Sequence, residues 1–350
     1  MKRYSQSALA LAVAMLLLIS CAQPPATIKP VSDAPALVWP GPPETPRIQF
    51  LYSITEPRDI NISQGWFQKV LDYIKGDPRK QIGSPYGIEM DTEGRLYIVD
   101  TFYKAVHVFD TKNAKHYLFP DKTIAGFQDP INIALGSNGR IYVSDSGSKQ
   151  VHVFTGHGKK YQQSIGLGQF ERPTGLAVNN HTGELLVLDT PASRLLVFDE
   201  QSLGIKRIVG HESKETQGFH YPTNITAAKD GRVYITDSLN YRVQALGPQL
   251  DFSKRFGAAG DAPGYFSRPK GIATDSEGNI YVVDALFDNV QIFDNEGRLL
   301  LAFGSPGSNR GEFWLPNALF IDDHDRIYVS DSHNKRVQVF QYMKQEVQQP

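Results

Sequence analysis

The chain contains 350 residues, of which 41% are hydrophobic and 21% are charged, so it has ample apolar material for a folded core. Its formal net charge is −1 and its Lys and Arg residues are not clustered, which excludes nucleic acid as a partner because such a partner needs a concentrated basic surface. A single cysteine excludes a disulfide framework.

The first 20 residues have the features of a secretory targeting segment. Basic residues stand at positions 2 and 3, and residues 8–19 form an apolar run that is too short to span a membrane. The run ends in Leu18-Ile19-Ser20-Cys21, which resembles the lipobox of bacterial lipoproteins, where cleavage precedes the cysteine and its thiol is acylated. An ordinary secretory signal with an incidental cysteine is the alternative. We predict a signal peptide over residues 1–20 and lipidation of Cys21.

The segment that follows is expected to anchor the protein and to hold it away from the lipid. Two or more acyl chains, such as palmitate, make a stable anchor where one would be marginal. By resemblance to the usual sorting pattern, Ala22 gives no signal for inner-membrane retention, so we expect an outer-membrane anchor that faces the periplasm. Residues 21–46 are rich in proline and predict an extended tether, although such a segment can also be a ligand for another domain.

One strand and one helix are predicted before the main part of the chain. Residues 47–54 have the character of a strand, and residues 61–76 carry an apolar stripe at helical spacing, formed by Trp66, Phe67, Val70, Leu71 and Ile74. The stripe either packs on the β domain or docks on a membrane or a partner helix. The polar face has few basic residues, which favours packing.

From residue 84 onward, one unit recurs six times. Each unit opens with a proline, at Pro85, Pro130, Pro173, Pro222, Pro269 and Pro316. The middle strand of each unit closes with an aspartate, at Asp100, Asp145, Asp189, Asp237, Asp284 and Asp331. Successive aspartates are 44 to 48 residues apart, and a fixed period in this range predicts a radial array of β-sheets.

The strands within each unit, named a to d in chain order, indicate a propeller. Strands a and b are continuously apolar, which is typical of strands buried on both faces. Strand c carries polar residues, which we attribute to a position nearer the rim, at His107, His152, Gln244, Gln291 and Gln338. Small residues near the start of strand a suit a crowded axis. Apolar residues three positions before each proline predict packing pegs between blades, at Ile82, Phe127, Phe170, Phe219, Phe266 and Phe313.

The two ends of the array are expected to meet. The last unit stops after strand c near Tyr342, and the strand at residues 47–54 has no blade of its own. We predict that this strand completes the last blade, because closure of the ring removes the exposed sheet edges of an open array. The domain then spans residues 47–342, and residues 343–350 form a tail.

The unit resembles the NHL repeat. The patterns Arg-Pro-x-Gly-Ile-Ala, Ile-Tyr-Val-x-Asp and Asn-x-Arg-Val-Gln-Val-Phe carry the resemblance over about residues 84–340, and they are clearest in residues 268–293 and 315–340. The Asn and Arg of the loop between strands b and c are replaced by Tyr103/Ala105 and by Phe287/Asn289. With the lipobox and the tether, the chain resembles bacterial NHL-type propeller lipoproteins. The resemblance implies an all-β, six-bladed β-propeller but no single activity. We expect the propeller to be monomeric and to carry the one short amphipathic helix predicted above.

Two sets of polar residues raise the question of catalysis. The six repeated aspartates, with Arg194, Arg242 and Arg336 five residues later, are interpreted as loop-fixing groups. Related propellers include metal-dependent lyases and lactonases with ligands around one mouth of the channel. Here the histidines do not form a three-His zinc set. Oxygen ligands for Ca²⁺ are an alternative on strand a near the axis, at Glu89, Asn132, Asn224 and Asn317.

The leading functional hypothesis is a lipid-anchored binding or scaffold propeller without a cofactor, whose partner is a protein, a peptide or an envelope glycan. Exposed aromatic and apolar residues on irregular loops suit a contact surface. The candidates are Phe102, Tyr103, His220, Tyr221, Leu239, Tyr241, Phe287, Trp314 and His333. The second hypothesis is a Ca²⁺-dependent lactonase, hydrolase or lyase at the channel mouth.

Overall fold

The computed structural model describes residues 36–62, 78–120, 126–213 and 218–344. These residues form six antiparallel sheets, which are the blades of a propeller. The innermost strand of each blade contacts the innermost strand of the next blade, and the sixth contacts the first, so the ring is closed. The predicted six-bladed, all-β architecture is confirmed.

The strands follow the predicted order within every blade. Blade 1 contains β3 Pro85–Met90, β4 Arg95–Asp100, β5 Ala105–Asp110 and β6 Lys115–Phe119. Blade 2 contains β7 Pro130–Leu135, β8 Ile141–Asp145, β9 Gln150–Thr155 and β10 Lys160–Ile165. Blade 3 contains β11 Pro173–Asn179, β12 Glu184–Asp189, β13 Arg194–Asp199 and β14 Ile205–Val209.

The second half of the ring repeats this arrangement. Blade 4 contains β15 Pro222–Ala227, β16 Val233–Asp237, β17 Arg242–Leu246 and β18 Phe252–Phe256. Blade 5 contains β19 Pro269–Thr274, β20 Ile280–Asp284, β21 Asn289–Phe293 and β22 Leu299–Phe303. Blade 6 contains β23 Pro316–Ile321, β24 Arg326–Asp331, β25 Arg336–Tyr342, β2 Ile48–Ile54 and β1 Val38–Trp39. Short 3₁₀ turns occur at Pro57–Ile60, Pro78–Lys80 and Ser238–Asn240.

The sixth blade is completed by the N-terminal strand. β2 pairs antiparallel with β25, with Phe50 opposite Phe340. The last part of the predicted tether also belongs to this blade, because β1 pairs with β2 and the Trp39 ring lies 5.8 Å from the rings of Phe303 and Phe340. The folded unit therefore begins near Leu37, earlier than the predicted boundary at residue 47.

The core consists of apolar clusters between neighbouring blades. Strand b supplies fully buried tyrosines at one position, namely Tyr97, Tyr142, Tyr234, Tyr281 and Tyr328. The predicted pegs are buried in these clusters, as Phe266 shows by packing between Phe256 of blade 4 and Phe293 of blade 5. Burial of strand b on both faces explains why its sequence does not alternate.

Glycine is required where the blades meet at the axis. A Cβ atom on Gly87, Gly175 or Gly271 would lie 2.6–2.9 Å from the Cα atom of the next blade's innermost strand. Such a distance is closer than van der Waals contact permits, so these strands approach as closely as they do only because a side chain is missing. The predicted crowding of the axis is confirmed.

The predicted targeting segment, Cys21 and nearly all of the predicted helix at residues 61–76 lie outside the described residues. In the part of the chain that the structure describes, no helix has the length and apolar character needed to cross a membrane.

Candidate functional site

The two ends of the propeller differ in their exposed apolar side chains. We define the loop face as the end formed by the d–a and b–c loops, and the turn face as the end formed by the a–b and c–d turns. Among the described residues, six large apolar side chains are exposed on the loop face, namely Phe102, Leu167, Leu239, Tyr265, Leu286 and Trp314. Four others of this described set lie on outer strands, namely Tyr161, Ile205, Ile208 and Leu300, and none of the set lies in a turn of the turn face.

The repeated aspartates hold the loops of the loop face in place. In blade 6, Asp331 accepts hydrogen bonds from the Trp314 backbone N–H at 2.8 Å, from Arg336 Nε at 2.7 Å and from Gln338 Nε2 at 3.1 Å. One buried carboxylate thus joins the d–a loop to the b–c loop and to strand c. The structural interpretation of the aspartates is confirmed, since each of the six accepts a backbone N–H of its d–a loop.

The polar residues of strand c were attributed to a position near the rim, and this attribution is wrong. His107, Gln244 and Gln338 are completely buried and bind the aspartate of their own blade. Burial of Asp100 opposes its ionisation, but hydrogen bonds from His107 and from loop backbone N–H groups outweigh burial and hold the pKa of Asp100 below its usual range.

A pocket of about 410 Å³ opens on the loop face between blades 4 and 5. Its apolar wall consists of Leu239 and Leu286, which are 45% and 51% exposed and belong to the b–c loops of the two blades. Two cationic residues, Arg268 and Lys270, lie on the blade 5 side. The remaining lining residues carry hydroxyl groups, namely Tyr221, Thr223, Ser238, Tyr241 and Ser267.

Three of the nine predicted contact residues line this pocket: Tyr221, Leu239 and Tyr241. Sequence reasoning missed Leu286, Arg268 and Lys270. Leu286 follows directly on the buried Asp284-Ala285 pair, so its exposure depends on the loop conformation. Arg268 and Lys270 flank the repeated proline. Arg268 is the arginine of the pattern Arg-Pro-x-Gly-Ile-Ala and Lys270 stands at its variable position, so neither departs from the repeat.

The other predicted contact residues form separate groups. Phe102 is 70% exposed and its ring lies 4.9 Å from that of the half-buried Tyr103 in blade 1. Trp314, in the loop that leads into blade 6, is 54% exposed, and the centre of its ring lies 5.4 Å from that of the His333 ring in the same blade. His220 and Phe287 are half-buried.

Three of the four predicted calcium ligands, Glu89, Asn132 and Asn224, line one axial cavity, whereas Asn317 does not. Asn132 Nδ2 donates a hydrogen bond to Asn224 Oδ1 at 3.2 Å, so these two side-chain amides are bonded to each other near the axis. Asn317 donates instead to Leu315 O and to Ser332 Oγ. Glu89 lies deeper, on the wall of this axial cavity, which has a volume of about 230 Å³ and extends to the turn face. Glu89 is half-buried on this wall, and desolvation raises the pKa of its carboxyl group to about 8, although a backbone N–H bond from Met90 opposes the shift. Among the described residues, no group of three or more His, Asp and Glu residues is arranged to hold a metal ion.

One arrangement that sequence reasoning missed resembles a hydrolytic triad. His152 Nε2 lies 3.4 Å from Asp145 Oδ2, and His152 Nδ1 lies 2.7 Å from Ser164 Oγ. However, Asp145 also accepts four backbone N–H groups, including that of Gln128, and His152 occupies the strand c position that Gln338 has in blade 6. The arrangement is therefore a variant of the loop-fixing network.

Comparison with known proteins identifies the repeats. Residues 127–154 match the NHL repeat, residues 251–283 match a β-propeller repeat, and residues 274–346 match a family described as a 6-bladed β-propeller. No match to the sequence was found among curated proteins.

Solved structures with the same fold have diverse names. Virginiamycin B lyase from Staphylococcus aureus is 14% identical, with a TM-score of 0.55 over 75% of this chain and 96% of the lyase. An auxiliary nutrient binding protein from Bacteroides thetaiotaomicron is 13% identical, with a TM-score of 0.57 over 75% and 70% of the two chains. Hydrazine synthase from Kuenenia stuttgartiensis is 14% identical, with a TM-score of 0.52 over 76% and 97%. At these identities the similarity shows the fold alone. The chain carries NHL-type repeats and folds as a six-bladed β-propeller.

Proposed function

We propose that this protein is a binding or scaffold propeller of the bacterial cell envelope, and that its loop face grips a protein, peptide or glycan partner. The proposal depends on the unequal distribution of large exposed apolar side chains. Among the described residues, six of these side chains lie on the loop face and none lies in the turns of the opposite face. Exposed apolar groups gathered at one end of a rigid scaffold are typical of contact surfaces.

The second part of the proposal concerns location. The lipobox-like segment before Cys21 supports acylation of this residue, an anchor in the outer membrane and a domain that faces the periplasm. The anchor and the proline-rich residues that follow it would present the domain to partners in the envelope.

Co-purification from the native envelope tests the contact surface. The full chain is compared with a loop-face variant, Leu239→Ser with Trp314→Ser, and with a matched variant, Ile208→Ser with Leu300→Ser, whose sites are equally exposed on outer strands. We expect the loop-face variant to lose a stoichiometric partner that the matched variant retains. If both variants retain the same partner, or lose it together, the loop face is not the contact surface.

The alternative, a Ca²⁺-dependent lactonase, hydrolase or lyase, has less support because only two of its four ligand candidates touch, and they bind each other. Metal analysis and thermal melting with Ca²⁺, with Zn²⁺ and with a chelator decide between the two functions. Stoichiometric metal and a melting temperature lowered by the chelator would favour the enzyme and would justify a screen of lactones and esters. Unchanged melting would favour the binding role.

A further inference from the structure

The pocket between blades 4 and 5 carries positive charge that no carboxylate of the described residues neutralises. Neither Arg268 nor Lys270 has a carboxylate within salt-bridge distance among the described residues. The polar contact of Lys270 is weak, with its Nζ atom 3.4 Å from the phenol oxygen of Tyr86 across the channel mouth. A third cation, Arg172, donates to the phenol oxygen of Tyr221 at 3.0 Å from the blade 3 side. The pocket is therefore bordered by three cations from two sides.

The repeated aspartates of the two blades are already engaged. Asp237 is buried and paired with Arg242 at 2.8 Å. Asp284 is buried and accepts backbone N–H groups on both sides of the pocket wall, from Ser267 at 2.7 Å and from Leu286 at 3.1 Å. Both carboxylates thus serve the loop scaffold, and none of the described residues that line the pocket has an acidic or amide side chain.

The charge of the lining favours an anionic ligand. Arg and Lys side chains are donors only, and the phenols of Tyr221 and Tyr241 each carry a donor. The hydroxyls of Thr223 and Ser238 lie 2.6 Å apart, and Ser238 donates its hydrogen to the Pro269 carbonyl oxygen. A carboxylate forms strong, charge-assisted hydrogen bonds with Arg and Lys, whereas a neutral sugar hydroxyl does not neutralise their charge. The two cations therefore favour a carboxylate over a neutral glycan.

The apolar wall indicates what lies beside the carboxylate. Leu239 and Leu286 face the pocket from two blades and expose about half of their surface. A cavity of about 410 Å³ is small for a ligand site, where volumes of roughly 300–1,000 Å³ are usual. It has room for a short segment with one aliphatic or aromatic side chain. We propose that this pocket binds an acidic peptide segment in which an Asp or Glu is adjacent to a large apolar residue. This inference rests on the proposed binding function and names the chemical class of its partner.

A peptide selection tests the inference. The full chain is immobilised and used to select from a library of random hexapeptides with acetylated and amidated ends, so that side chains supply every carboxylate. We expect enrichment of Asp or Glu next to Leu, Ile, Met or Phe. Because the variant Arg268→Gln with Lys270→Gln loses the charge-assisted hydrogen bonds to the carboxylate, it should bind the best peptide roughly ten- to hundredfold more weakly. A matched variant on the turn face, Arg298→Gln with Lys229→Gln, should bind as tightly as the natural protein.

The other outcomes overturn the inference in distinguishable ways. Enrichment of peptides without acidic residues, lost in the Leu239→Ser and Leu286→Ser variant, would refute the acidic class and leave the proposed binding function intact. Binding of an oligosaccharide of uronic acids in place of any peptide would refute the peptide class. Equal loss of binding in both charge variants would show a general electrostatic effect and would refute the assignment to this pocket. Persistence of the loop-face partner in the envelope experiment separates each of these failures from failure of the proposed function.

Discussion

Replacement of Glu89 by glutamine gives the sharpest test of the axial cavity. The Glu89 carboxyl group lies among the innermost strands on the wall of the axial cavity, and desolvation raises its pKa from 4.5 to about 8. Below pH 4.5 the group is protonated in both the folded and the unfolded chain. Between pH 4.5 and 8 the unfolded chain releases this proton while the folded chain retains it, so the free energy of unfolding falls as the pH rises.

The size of this effect follows from the difference between the pKa values of the folded and the unfolded chain. A tenfold change in the acid dissociation constant corresponds to about 1.36 kcal/mol, which sets an upper limit of roughly 5 kcal/mol above pH 8. The side chain faces a cavity that reaches the turn face and is accessible to solvent, so we expect about 2 kcal/mol. Glu89→Gln removes the titration and keeps the shape of the side chain.

Urea unfolding of the natural protein and of Glu89→Gln, measured at unit steps from pH 4 to pH 9, provides the assay. We expect the two proteins to have nearly equal stability at pH 4, and the variant to be more stable by about 2 kcal/mol at pH 9. The difference between the two proteins isolates Glu89 from the other titrating groups. A difference that stays constant across this range would mean that Glu89 is hydrated and ordinarily ionised, and it would refute the reasoning.

Three further predictions concern the axis, the closing blade and the anchor. Gly271→Ala should destabilise the propeller by about 1–3 kcal/mol, because the new Cβ atom would meet backbone 2.6 Å away, whereas Gly126→Ala, with nothing within 4 Å, should be neutral in the same urea titration. Trp39→Ala should lower the free energy of unfolding by about 2 kcal/mol, since the ring packs on Phe303 and Phe340, and an unchanged value would show that β1 does not stabilise blade 6. Cys21→Ser should move the protein from the membrane fraction to the soluble fraction, as immunoblotting of both fractions would show, and retention in the membrane would contradict a lipid anchor.

The regular spacing of the repeats allowed the six-bladed architecture to be predicted from the sequence. Each unit needs strands buried on both faces, a glycine-containing turn and a loop-fixing aspartate. Residues that are close together in the sequence determine each of these features. The start of strand a at Pro316, its end near Ile321 and the end of strand b at Asp331 therefore appear in the structure where the pattern predicts them. Closure by the strand before residue 54 followed from the missing fourth strand of the last unit.

The site depended on contacts that no local pattern encodes. Lys270 reaches Tyr86 and Arg172 reaches Tyr221 only because the ring brings different blades together. A departure from the repeat indicates a candidate contact residue, but tertiary packing decides whether its side chain is exposed. His220 is half-buried, whereas Leu286 faces solvent. Sequence alone determined the blades and their order. The tertiary structure decided which charges remain unpaired and where a pocket opens, because both depend on the meeting of loops that are distant along the chain.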